Sequence, residues 1–358
     1  MPQDGGEGRP RWGPRPALAL VGVITVTGLI GIAISLAQHP ASPSASSPPV
    51  RISAGPILGG PHSGDGFTVA EDVAAHQVVL FGGVGDYDST WLWDGTRWTL
   101  AHPATSPPGR FGASAAYDPQ TRMVMLFGGR DEGGVPVDDT WAWNGSGWLA
   151  LDSGAGGPQP GEGSTMAWDP TLGEMLLVTD SGVISVPGGT WVWAGTHWIH
   201  PAGADLPAAA LSSPMEFDPV TKSLMAVGCC QGPPSPGTVD TTWRWTGDRW
   251  QLLSARTNAP IDGSTIALDP ASGRLVLCAC LASAPAEPEL TEWDGHGWVA
   301  LHIKGIPVQG GIEVTDADHA RLLLIGAPVS APASNAMPLQ VWSLMGSTWR
   351  RLDSPAGP

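Results

Sequence analysis

Two loops carry the densest sets of side chains able to bind a ligand. The first holds Asp86, Tyr87 and Asp88; the second holds Arg130, Asp131 and Glu132, followed closely by Asp138 and Asp139. Clustered carboxylate oxygens suit calcium or a basic partner, against the alternative of a solvated loop surface. Residues 86–88 and 130–132 are the candidate ligand-binding set. Sulfur supplies a second group: Cys229, Cys230, Cys278 and Cys280. Adjacent or once-separated cysteines with no histidine nearby are poor ligands for four-coordinate zinc. A disulfide is the expected chemistry, either across the 229–230 and 278–280 pairs or as a vicinal Cys229–Cys230 bond. No catalytic residue, metal or cofactor is assigned.

A repeat must position these groups. Six times the chain reads Trp-x-Trp-x-Gly-x-x-Trp or a worn variant, from Trp91-x-Trp93-x-Gly95-x-x-Trp98 to Trp342-x-Leu344-x-Gly346-x-x-Trp349. Successive starts lie 50, 50, 52, 48 and 51 residues apart. A second marker keeps the same frame. Asp72, Asp118, Asp169, Asp218, Asp269 and Asp316 each stand nine residues before the end of an apolar run. Two markers on one period mean a repeat architecture.

One unit, Phe111 to Leu151, reads as four strands. Small residues in 112–117 suit a strand crowded near an axis. Asp118-Pro119 supplies a turn. Met123 to Phe127 is continuously apolar, as a strand buried on both faces requires. Gly128-Gly129 ends it, and Thr140 to Trp143 places both indoles on one face. Asn144-Gly145 is a hairpin signal, and Trp148 to Leu151 returns as the fourth strand. Four strands in about 50 residues describe a propeller blade. The expected fold is therefore all-β: a six-bladed propeller of four-stranded blades over residues 62–353. The first blade starts with its own innermost strand and the last ends with its own outermost one. Closure through side chains, without strand exchange, follows; the stretch Val50 to Leu58 could add to the last blade's edge.

The pattern resembles the kelch repeat: an apolar strand ending in Gly-Gly, a loop, an aromatic pair and a later Trp. Leu80-Phe81-Gly82-Gly83 with Trp91 and Trp98, and Leu126-Phe127-Gly128-Gly129 with Trp141 and Trp148, carry it best. Units three and five have Thr179-Asp180 and Ala279-Cys280 at the Gly-Gly step. The resemblance implies a propeller of a family with both binding modules and a few enzymes, and fold does not choose between them. Kelch-like copper oxidases use two tyrosines, a cysteine and two histidines. Here Tyr87 and Tyr117 fall on opposite faces, and His102, His200 and His302 are dispersed. The Asp-box of sialidase-like propellers is absent, because Trp93 stands two before Gly95. Indoles in every unit could stack on sugars, but recurrence in each blade fits packing between blades better. The loops after the second strands vary most and share one face, where binding residues collect.

Residues 17–37 form an uncharged apolar stretch of 21 residues preceded by Arg9, Arg11 and Arg15. About 20 residues span the hydrocarbon core, and flanking positive charge stays inside. The expected organisation is a cytoplasmic tail (1–16), a transmembrane signal anchor (17–37), a Pro/Ser-rich linker (38–61), the propeller outside the cell and a short C-terminal tail (354–358). The alternative is secretion after cleavage near Ser35-Leu36-Ala37. The part after residue 50 has a net charge of −17, which argues against nucleic acid as a partner. Two lysines against fifteen arginines agree with a GC-rich bacterial source. The reading is a non-catalytic module at the cell surface for protein or polysaccharide. Its alternatives are a carbohydrate-active enzyme using the loop face and a structural envelope protein.

Overall fold

The computed structural model describes residues 60–353 apart from 63–64, 155, 160–162, 180–188, 205, 207–213, 229–240, 255–264, 279–289, 304 and 330–337. The segment 17–37, the linker up to residue 59 (with Val50 to Leu58) and the C-terminal tail lie outside those residues, as do Cys229, Cys230 and Cys280.

Six antiparallel four-stranded sheets follow one another along the chain. Their innermost strands are Thr68–Asp72, Ser114–Asp118, Thr165–Asp169, Met215–Asp218, Thr265–Asp269 and Val308–Asp316. Each packs against the innermost strand of the next blade, and the sixth packs against the first. The result is a closed six-bladed β-propeller. The apolar second strands, such as Met123–Phe127, are buried almost throughout, because a neighbouring blade covers each face.

Local chemistry sets the strand ends. At the turn after the innermost strand, Asp118 accepts from Gln120 N–H and from the Thr121 hydroxyl, both at 2.8 Å. Asp169 and Asp218 close their turns in the same way. At the outer hairpin, Asn144 Oδ1 accepts from Ser146 N–H at 3.0 Å and Gly147 N–H at 2.9 Å, while Gly145 takes φ 86°.

The repeated indoles lie between blades. Within a blade the third- and fourth-strand indoles tilt against each other, with Trp93–Trp98 and Trp143–Trp148 centroids 5.4 and 5.6 Å apart. Across blades, Phe81 meets Trp148 edge-on at 5.2 Å and Phe127 meets Trp198 at 5.9 Å. The fourth-strand indole also donates to a buried threonine of the preceding blade. Trp148 reaches Thr90, Trp198 reaches Thr140 and Trp250 reaches Thr190, each at 2.9 Å, and Trp298 reaches Thr242 at 3.1 Å.

Ring closure differs in one respect from the expectation of side-chain contact alone. The seam does hold an apolar cluster of Val69, Leu80, Trp91 and Trp93 with Leu323, Ile325 and Val341. Backbone joins it too: His62 bridges Pro338, and Leu339 N–H donates to Pro61 O at 2.8 Å. The chain entering blade 1 thus supplies an acceptor that the last blade needs.

Candidate functional site

On the loop face, blades 1 and 2 meet around Arg110. Its backbone N–H donates to Tyr87 O at 2.8 Å, and its carbonyl accepts from Gly83 N–H at 3.0 Å. Arg110–Phe111 pairs with Arg130–Asp131 in a short two-stranded ribbon. The buried Arg110 guanidinium forks onto Asp139, at 2.5 and 3.0 Å, and donates to Gly128 O at 3.0 Å. Burial alone would raise the Asp139 carboxyl, but Arg110 and the Trp141 N–H outweigh it and hold it below the usual range.

This scaffold brings Asp86, Tyr87 and Asp88 of blade 1 together with Asp131 and Glu132 of blade 2. With Gly85, Gly109 and Gly133 they line an open cleft of about 440 Å³. The members differ in freedom. Asp86 accepts from the Trp91 N–H at 3.1 Å, and Asp131 Oδ1 caps the turn through Val135 N–H at 2.8 Å. Tyr87 leans edge-on against Phe111, 6.1 Å between centroids. Asp88 and Glu132 are exposed. Arg130 is not in the cleft lining; it donates to Gly134 O at 2.9 Å. Among the described residues no group of three His, Cys, Asp or Glu side chains is placed to hold a metal ion. Cys278 is buried and disulfide-bonded, and the other three cysteines lie outside the described residues.

A second concavity of about 560 Å³ runs down the axis, lined by the six innermost strands. Those strands align position by position through the closing aspartates. The third column is Ala70, Ala116, Ala167, Glu216, Ala267 and Val314. The second column is apolar except for Glu313, and the fourth mixes Glu71 with Tyr117, Trp168, Phe217, Leu268 and Thr315. Burial pushes Glu216 up to about 7, against one hydrogen bond from Phe217 N–H. Glu71 also rises to about 7, through burial first, with Asp316, Asp318 and Glu216 adding repulsion. Glu313, deeper still, is raised further by burial.

No family model matches the sequence, and no curated protein matches it. Solved structures do. The lectin SapL1, in complex with alpha methyl fucoside, is 13% identical over 82% of this chain and 97% of its own, with a TM-score of 0.56. The fucose-recognising lectin of Aleuria aurantia, a six-bladed propeller, is 11% identical over 83% and 98%, with a TM-score of 0.53. YjhT is 12% identical over 82% and 98%, with a TM-score of 0.54. The likeness is one of fold.

Sequence reasoning picked out five of the eight cleft residues and missed the axial carboxylates. Their signal was present: each stands among apolar or aromatic residues in its repeat column. Arg110 carries the same kind of column signal, but its partner Asp139 lies 29 residues away and no local pattern links the two.

Proposed function

We propose that the chain is a non-catalytic binding module for polysaccharide at the cell surface, a kelch-like propeller held to the membrane by residues 17–37. One observation carries the binding reading: variable loops of two blades converge on a single open cleft with exposed carboxylates and an aromatic edge. Carboxylate oxygens accept bonds from sugar hydroxyls, and a phenol ring offers an apolar face to sugar C–H groups. Asp88 and Glu132 are the groups free to contact ligand, whereas Asp86 and Asp131 hold the loops. The lectin propellers of the same fold support a glycan over a protein partner.

The test is a glycan array probed with the full chain in a polyoxyethylene detergent, which carries no sugar headgroup. Binding that Asp88→Asn with Glu132→Gln weakens by roughly tenfold, about the worth of one charged hydrogen bond, supports the reading. A flat array with a crosslinked surface protein would replace glycan by protein. Turnover of a glycan would replace binding by the carbohydrate-active enzyme.

A further inference from the structure

We propose that the axial cavity is a second site, which binds a compact organic cation: an ammonium group on an apolar body. Three carboxylates, Glu71, Glu216 and Glu313, come to it from blades 1, 4 and 6, and among the described residues no lysine, arginine or histidine lines it. Buried carboxyl groups without a cationic partner are costly, and here each replaces a residue that the other blades fill mostly with apolar side chains. Proteins keep such a cost where function needs it.

Glu313 points to a ligand most directly. The residue is only 4% exposed. The carboxyl takes a backbone bond from Cys278 and a long 3.4 Å contact from the Thr265 hydroxyl to Oε2, while its Oε1 is buried with no hydrogen-bond partner. That open oxygen offers an acceptor to a donor or a positive charge entering the cavity. The walls select the kind of cation. Tyr117, Trp168 and Phe217 stand at one register in three successive blades and all line the cavity. Aromatic faces attract alkylammonium groups through the ring quadrupole. A metal ion fits less well: the described residues hold no three-ligand cluster, and beside the glutamates the wall offers only neutral hydroxyl, apolar and aromatic side chains. The volume, about 560 Å³, lies in the range of small-molecule sites, roughly 300–1,000 Å³.

Proton linkage gives a signature of this site. Among the described residues the titratable groups facing the cavity are Glu71, Glu216, Glu313 and Tyr117; Asp316 and Asp318 stand behind Glu71, and Asp72, Arg122 and Asp118 near Tyr117. With Glu71 and Glu216 near 7, the empty cavity carries protons that a bound cation expels. Affinity therefore rises with pH across that range.

The experiment is calorimetric titration of the full chain, in polyoxyethylene detergent, with choline and with its neutral carbon isostere. Choline keeps its charge at every pH, so any pH dependence belongs to the protein. Saturable choline heat is expected, with the isostere at least about tenfold weaker, and a gain of about tenfold per titrating carboxylate between pH 6 and 8. The heat should also vary with the ionisation enthalpy of the buffer. Glu216→Gln should weaken choline and flatten the pH profile, whereas Asp88→Asn should change neither, which separates this site from the loop cleft. Equal affinity for choline and isostere, a flat wild-type pH profile, or no choline heat at all would each overturn the proposal. The wild-type measurements stand even if a variant fails to fold.

Discussion

A carboxyl group costs most where its neighbours in the repeat are alanines, and Glu216 is that case. Its pKa rises from 4.5 to about 7 on folding. Between those values the folded chain holds a proton that the unfolded chain has lost, so the slope of stability with pH is negative. The penalty is absent below about 4.5, grows as pH rises and is complete above about 7. Asp139 acts in the opposite sense and in another window. Its folded pKa lies below 3.8, so its contribution is full above that value and is lost only in stronger acid. Urea midpoints of the full chain should therefore fall from pH 5 to pH 8, and Glu216→Gln should remove part of that fall while leaving the strongly acidic limb intact. An unchanged slope in the variant would mean that Glu216 is solvated and ordinary. At this scale the sequence is legible only by column. Glu216 is conspicuous beside Ala70, Ala116, Ala167 and Ala267, but only after the innermost strands are aligned. Loop-centred reading passes over it.

Among elements, the Gly-Gly step shows why some features read cleanly and others do not. Gly82 has φ 67°, and a Cβ there would lie 2.3 Å from Arg110 O; at Gly129, φ 91°, it would lie 2.6 Å from Phe111 O. Both contacts are with backbone of the ribbon segment that closes the cleft, so no rotamer change relieves them. Gly82→Ala and Gly129→Ala should each destabilise by about 1–3 kcal/mol, the scale of a strained backbone position, measured by equilibrium urea unfolding. Loop-cleft binding should weaken with them, because the ribbon orients Asp131. An alanine variant as stable as wild type would show that the loops move apart freely. The glycines announce themselves in sequence because only glycine tolerates that conformation. The strands do so for a related reason: apolar runs, Asp turns and hairpin glycines are local signals. The cleft was half legible, since the shared frame places residues 86–88 and 130–132 on one face. The Arg110–Asp139 pair that spaces them is a contact between positions 29 apart, and nothing local encodes it.

For the whole molecule, six blades must close into a ring, and the markers count them without saying how evenly they are joined. Four interfaces carry the bond from a fourth-strand indole to a threonine. At the other two, the threonine position is Leu290 or Val341, and the facing Trp349 and Trp98 bury Nε1 with no partner among the described residues. Both defects flank blade 6. The seam with blade 1 is tied instead near its turn face, by Ala317 N–H to Glu71 at 2.6 Å and Arg321 to Gly95 O at 2.7 Å. Blade 6 should then be the first to open, and amide exchange is the measurement that orders such openings. Its second strand, Arg321–Pro328, should exchange faster than the equivalent Met123–Phe127 of blade 2. Val341→Thr restores the acceptor within nearly the same volume, at a site as buried as Thr140. One satisfied hydrogen bond contributes about 0.5–1.5 kcal/mol, set against the cost of burying the new hydroxyl. Exchange of Arg321–Pro328 should slow severalfold in the variant while Met123–Phe127 is unaffected. If both strands shift together, the ring opens as one unit and the missing bonds do not mark its weak point. If blade 6 alone is slowed, closure is limited by the two indoles that the repeat left without a threonine.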